Sequence, residues 1–235
     1  MTVNQRKYLA EVIGTFALVF TGTGAIVVNQ AIDGQPVTHP GIALTFGLIV
    51  MSVIYAIGDV SGAHINPAVT IAFTVAGRFP GSQVLPYILS QCIGGLAASG
   101  LLRVMFPAQE FLGGTLPAGS WSQSFIFEVV LTFMLMYVVL RVSSGAKEKG
   151  IMAGVAIGSV VALEAMFAGP VCGASMNPAR SLAPAVVSGH LESLWIYLTA
   201  PVIGAVLAIP ASDLTTLPDS DEPTTSADQA PVDAN

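Results

Sequence analysis

Only 9% of the 235 residues are charged and 53% are hydrophobic, whereas a water-soluble domain carries about 25% charged residues. The net charge of −6 comes from the last stretch, where Asp213, Asp219, Asp221, Glu222, Asp228 and Asp233 stand without any Lys or Arg. The rest is close to neutral and has no basic patch for nucleic acid, so the apolar surface is expected to face lipid.

Taken in chain order, six apolar runs are long enough to cross a hydrocarbon core, which needs about 20 helical residues. They lie near 8–30, 40–60, 82–105, 121–141, 150–168 and 192–211. The first is read as a membrane span and not as a cleavable leader, because more such runs follow it. Gly154 and Gly158 have the small-xxx-small spacing that lets two helices approach closely. Two shorter apolar segments, 66–77 and 177–187, follow the second and fifth spans, and neither can cross alone. Residues 212–235, acidic and rich in Pro, Thr and Ser, read as a solvated tail. Cys92 and Cys172 lie in apolar surroundings and read as small buried hydrophobes, with no metal-ligand spacing and no disulfide framework.

Lys and Arg set the expected orientation. Arg6 and Lys7 precede the first span, Arg78 precedes the third, and Arg141, Lys147 and Lys149 lie between the fourth and fifth. All fall on one side, which is therefore expected to be cytoplasmic along with both termini. His39, Glu110, His190 and Glu192 fall on the other side, with Arg103 near the outer end of the third span. A cell-membrane location follows as an expectation.

The sequence also repeats. Ser-Gly-Ala-His-Ile-Asn-Pro-Ala (61–68) matches Cys-Gly-Ala-Ser-Met-Asn-Pro-Ala (172–179) at five of eight positions, and Glu11-Val12-x-x-Thr15-Phe16 matches Glu128-Val129-x-x-Thr132-Phe133. Three spans per half is an odd number, so the second copy inserts upside down relative to the first. The expected fold is an all-α membrane protein with six transmembrane helices and two re-entrant half-helices in an inverted 3+3 repeat. The channel domain is expected over 1–211, with repeats near 6–106 and 121–211.

Each short segment opens on Asn-Pro-Ala: Asn66, Pro67 and Ala68, then Asn177, Pro178 and Ala179. Asn is a favoured N-cap, and Pro suits the first helical position because its missing N–H would be unpaired there anyway. One such dipeptide reads as an ordinary cap. Two in an inverted repeat aim two helix N-termini, each with roughly half a positive charge, at the membrane centre. A cation there meets positive ends and no carboxylate. The Asn side-chain amides are expected to donate toward the lumen, and the unwound backbone of 61–65 and 172–176 to line it.

On these motifs the chain resembles the major intrinsic protein family, the aquaporins and aquaglyceroporins, over residues 6 to 211. The resemblance implies a homotetramer with one pore per subunit, passing water and small neutral solutes, and no cofactor, metal or catalytic residue. It implies a filter of Phe46, Ala165, Ala174 and Arg180. Arg180 lies one turn into a re-entrant helix, where the first copy has Val69; a snorkelling surface arginine is the plain alternative. The water-selective pattern has His where this chain has Ala165, so a wider and more apolar filter is expected. The stretch 163–170 is similar to the nodulin-26-like branch, which passes glycerol, urea and metalloid hydroxides. Ser181, Ala185 and Tyr197 are water-like, and Leu198 is glycerol-like.

The resemblance also implies that Glu11 and Glu128 accept hydrogen bonds from the loop N–H groups. His64 is expected to order its loop. Glu164 has no mate in the repeat, and contact with a neighbouring loop is the favoured reading over pore lining. A secondary transporter would need coupling-ion ligands near the midplane, which the two motifs lack. An intramembrane enzyme would need a nucleophile and base in contact. The one candidate pair, Ser175 and His64, is expected at opposite mouths.

Overall fold

The computed structural model describes residues 1–143 and 151–216. Six long helices and two half-length ones follow in the order α1 (Val3–Ala31), α2 (Thr38–Ser61), α3 (Pro67–Val75), α4 (Val84–Met105), α5 (Trp121–Val142), α6 (Ala153–Cys172), α7 (Pro178–Ser188) and α8 (Leu194–Leu214). Among the described residues there is no strand. All six long helices are long and apolar enough to cross a membrane; α3 and α7 have 9 and 11 residues and do not. The loop carrying Lys147 and Lys149, and the tail beyond Thr216, lie outside the described residues.

Three boundaries differ from expectation for local reasons. Helix α1 starts at Val3, five residues early, because Thr2 and Gln5 form a reciprocal capping box ahead of it. Helix α6 runs on to Cys172, through Pro170, instead of ending at 168. Pro170 has no N–H for the Met166 carbonyl, but that carbonyl accepts from His39 Nε2 at 2.6 Å. Helix α8 continues through Pro201 and Pro210 to Leu214, so the first residues of the expected tail, Asp213 included, are helical.

The two halves are built alike. Helix α1 packs on α2 and α4, α5 packs on α6 and α8, and α2 joins the halves along α6. A Cβ added at Gly94 in α4 would sit 2.2 Å from the Val12 carbonyl oxygen, and one at Gly204 in α8 would sit 2.1 Å from that of Val129. Any larger residue would push these helix pairs apart. Tyr87 donates to the Ser61 carbonyl and Tyr197 to the Cys172 carbonyl, which are corresponding places in the two halves.

Between the halves α3 and α7 meet N-terminus to N-terminus. Asn66 Nδ2 donates to the Met176 carbonyl at 2.7 Å, and Asn177 Nδ2 donates to the Ile65 carbonyl at 2.8 Å. The side chains on the lipid-facing flanks are apolar, among them Leu48, Leu89, Ile93 and Leu207, each more than half exposed. That surface is compatible with acyl chains and not with water.

Candidate functional site

Each re-entrant segment is a short run of backbone that the chain does not adopt readily. After α2, Gly62, Ala63 and Ile65 take φ of 85°, 47° and 43°; after α6, Gly173, Ala174 and Met176 take 85°, 42° and 53°. Left-handed backbone at alanine, methionine and above all β-branched isoleucine costs about 1–3 kcal/mol per residue and persists only where the surroundings hold it.

Two buried carboxylates do the holding. Glu11 accepts from His64 N at 2.9 Å and Ile65 N at 2.7 Å, and also from Ser61 Oγ and Gln91 Nε2. Glu128 accepts from Ser175 N at 2.7 Å and Met176 N at 2.8 Å. Both are fully shielded from solvent. A carboxylate pairs two successive N–H groups at once, a job no neutral side chain of this length does as well.

The strained segments end on the caps. Asn66 Oδ1 accepts from Ala68 N, and Asn177 Oδ1 from Ala179 N and Arg180 N. Pro67 and Pro178 follow at the first helical positions. The amide nitrogens differ from the expectation of a purely lumen-facing donor. One hydrogen of each binds the opposite loop, locking the two half-helices together, which leaves the second for the lumen.

One cavity of about 160 Å³ runs along this seam. Residues 62–65 and 174–176 line it together with both Asn caps; Leu18, Val50, Val69, Leu135, Val139 and Val161 supply much of its apolar wall. Among the described residues no Asp or Glu lines it. Phe46, Ala165, Ala174 and Arg180 are all among its lining residues, as are Val142, Ser143 and Ala153. The Arg180 guanidinium sits 4.9 Å from the centre of the Phe46 ring, and its Nη1 donates to the Gly113 carbonyl at 2.8 Å. Its Nε has no partner among the described residues. Arg180 is 3% exposed, so the snorkelling alternative does not describe it. Ser181 and Ala185 do not line the cavity: Ser181 Oγ is bonded behind it, to Thr115 and Ser175.

His64 and Ser175 both line this cavity, and each is bonded to other partners. His64 Nδ1 pairs with Thr70 Oγ1, its ring packed among Phe73, Phe79 and Tyr87, while Ser175 Oγ donates to the Asn177 carbonyl. Glu164 contradicts its favoured reading. It is wholly buried, neither carboxyl oxygen has a hydrogen-bond partner among the described residues, and it is not among the residues that line the cavity. Cys172 is buried and Cys92 half-buried, both as free thiols. Sequence reasoning did not single out the Gly113 carbonyl, Gln91 or the His39 contact. Only Gln91, a polar residue inside an apolar span, carries a signal that could have been used.

A family model described as Major intrinsic protein matches residues 1–210. The chain is 49% identical over 202 residues to Aquaporin NIP1-1 of Zea mays, covering 86% of this chain and 71% of that protein. It is 46% identical over 202 residues to Nodulin-26 of Glycine max, covering 86% and 74%. Among solved structures, the aquaglyceroporin from Plasmodium falciparum matches with a TM-score of 0.75 over 90% of this chain and 99% of that one, at 24% identity, a likeness in fold.

Proposed function

We propose that this chain, which belongs to the major intrinsic protein family, passes water and also small neutral solutes of the size of glycerol, urea or a metalloid hydroxide, while excluding protons and other ions. That it is a multi-pass membrane channel of the aquaporin and aquaglyceroporin kind follows from the family and the six apolar helices. The solute range is carried by one observation: Ala165 and Ala174, with only methyl groups to offer, line the same cavity as Phe46 and Arg180, which lie against each other. In a pore that narrow, wall volume decides which solutes fit, and wall donors replace their lost hydration. Phe46 offers a flat apolar side for a carbon backbone, and Arg180 offers donors for hydroxyls. The water-like Ser181 and Ala185 carry little weight against this, because neither lines the cavity.

Ion exclusion rests on the two opposed helix N-termini, on Arg180, and on a lining that has no carboxylate among the described residues. The same lining speaks against a secondary transporter, which needs coupling-ion ligands. The separation of the His64 and Ser175 bonding partners speaks against an intramembrane hydrolase. We place both termini in the cytoplasm, with the Arg180 end outward, in a homotetramer of four separate pores in the cell membrane; the distribution of Lys and Arg supports the first and the family resemblance the second.

The Ala165→His variant tests the solute range. In proteoliposomes, glycerol, urea or arsenite flux should fall to background while water flux is largely kept. Equal loss of water, or unchanged solute flux, would remove Ala165 from the filter.

A further inference from the structure

Helices α2 and α6 run antiparallel, joined at three levels. At one end Tyr55 Oη donates to the Ile151 carbonyl at 3.0 Å. In the middle the backbones touch: a Cβ at Gly47 would lie 2.4 Å from the Gly158 carbonyl oxygen. At the other end, the one with Arg180, His39 Nε2 reaches the Met166 carbonyl at 2.6 Å. A carbonyl only accepts, so Nε2 carries the proton.

The third level is unlike an ordinary surface contact. Met166 is the residue whose helix partner would be the N–H of residue 170, and residue 170 is proline. Its carbonyl is thus free by construction. The residue between them in the fold is also fitted to the contact: a Cβ at Gly169 would lie 3.1 Å from His39 Cε1, tighter than ordinary packing. The start of α2 is fixed in turn, because Thr38 N donates to Asn29 Oδ1 at the end of α1. Asn29, His39, Gly169 and Pro170 together form a clamp from α1 through α2 to the last turns of α6.

Those last turns carry the filter. Ala165 adjoins Met166, and α6 leads through Gly173 directly into Ala174. Above the Gly47–Gly158 contact, the His39 bond is the side-chain tie between α2, with Phe46, and the α6 segment bearing Ala165. We infer that His39 is a positioning residue for selectivity: by occupying the carbonyl that Pro170 leaves free, it fixes how far Ala165 and Ala174 stand from Phe46 and Arg180. This rests on the reading of those four residues as the filter. Without the bond, the end of α6 moves outward and the ring admits bulkier solutes, while the Asn caps and the carboxylate-held loops stay in place.

The test is a double-mutant cycle on solute selectivity, using the full chain in proteoliposomes, with water and a size series of urea, glycerol and erythritol. His39→Phe keeps an aromatic ring and removes the donor. Its ratio of solute to water permeability, read for the largest solute the parent admits and the next one up, should rise about fivefold, the factor that one hydrogen bond's net contribution commands. His39→Gln, which keeps an N–H donor, should hold the parent ratio. In Pro170→Ala the Met166 carbonyl regains its helix N–H, so adding His39→Phe to it should change the ratio little. Parent selectivity in well-folded His39→Phe, an equal effect in both backgrounds, or a loosened ratio in His39→Gln would each overturn the inference. If His39→Phe does not assemble, the cycle is run with His39→Leu against the same two outcomes. A parent that passes water alone would refute the proposed solute range, yet the cycle still reads out as the entry of the smallest excluded solute.

Discussion

In the first repeat four donors converge on Glu11, whereas in the second Glu128 accepts from two backbone N–H groups, with the Cys172 thiol close by. The difference has a simple source. Tyr87 and Tyr197 occupy corresponding places, and four residues on from each stand Gln91 and Pro201. The glutamine supplies an amide to Glu11; the proline has nothing to give. Ser61 donates a hydroxyl where its counterpart Cys172 has a thiol. In the second repeat there is instead a further buried carboxyl, Glu164, with no hydrogen-bond partner among the described residues. The first half is thus the better-held scaffold. The second carries Arg180, which is tied through Gly113 to the loop between α4 and α5. The lesson is that an inverted repeat keeps the carboxylate that braces each strained segment, and varies what surrounds it.

Removing the carboxylates should break the comparison most sharply. Glu128→Leu leaves Ser175 N and Met176 N buried and unpaired, at about 1–3 kcal/mol each, and releases the left-handed backbone beside them. Glu11→Leu orphans the same number of backbone groups, but Gln91 retains Thr70 Oγ1 and Ser61 Oγ retains Ala63 N. Thermal unfolding of the purified protein, followed by loss of monodispersity, should show Glu128→Leu to be the more damaging. The reverse order would mean that the bonds left to Gln91 and Ser61 do not hold the first loop once its carboxylate is gone.

The next effect is on permeation. Arg180→Val removes a charged side chain from the cavity wall, giving the second half-helix the residue that the first has in Val69. Solute flux should rise roughly tenfold, the effect of about 1.4 kcal/mol off a barrier, and a proton current should become measurable. A variant that matches the parent toward every solute and toward protons would take Arg180 out of the filter.

An effect of the opposite sign, on stability alone, is expected at Glu164. A buried carboxyl without a partner is a liability, and Glu164→Met replaces it with an apolar chain of similar length. Stability should rise by about 1–3 kcal/mol, read as a higher unfolding temperature with water flux intact. A fall would show that the carboxyl is satisfied in the membrane-embedded protein and is structural.

How far all this was legible beforehand follows from range. The six spans were readable because lipid demands long apolar runs, and the half-helices because Asn-Pro-Ala occurs twice. Glu11 and Glu128 stood out because Glu-Val-x-x-Thr-Phe occurs twice, at matching places. The bond from Arg180 to the Gly113 carbonyl joins residues 67 apart and uses a backbone atom, which leaves no side-chain trace. The same holds for His39 and Met166, 127 apart. The apolar run reads as ending near 168, yet α6 continues through Pro170 to Cys172, and His39 takes the carbonyl that the proline leaves without an N–H. Glu164 misled differently, since a carboxyl in an apolar span invites a partner, and the described residues offer none.

The central claim is that strained backbone, opposed Asn caps and a small-walled filter make a pore for neutral molecules alone. Proteoliposomes holding the unaltered chain test it most directly, with water, glycerol, urea and arsenite fluxes and proton current measured in one preparation. The account predicts rapid water flux, measurable flux of at least one of the three solutes, and no proton current above that of empty vesicles. Water flux with all three solutes rejected would contradict the filter derived from Ala165 and Ala174; a proton current would contradict the electrostatic barrier at the paired helix ends.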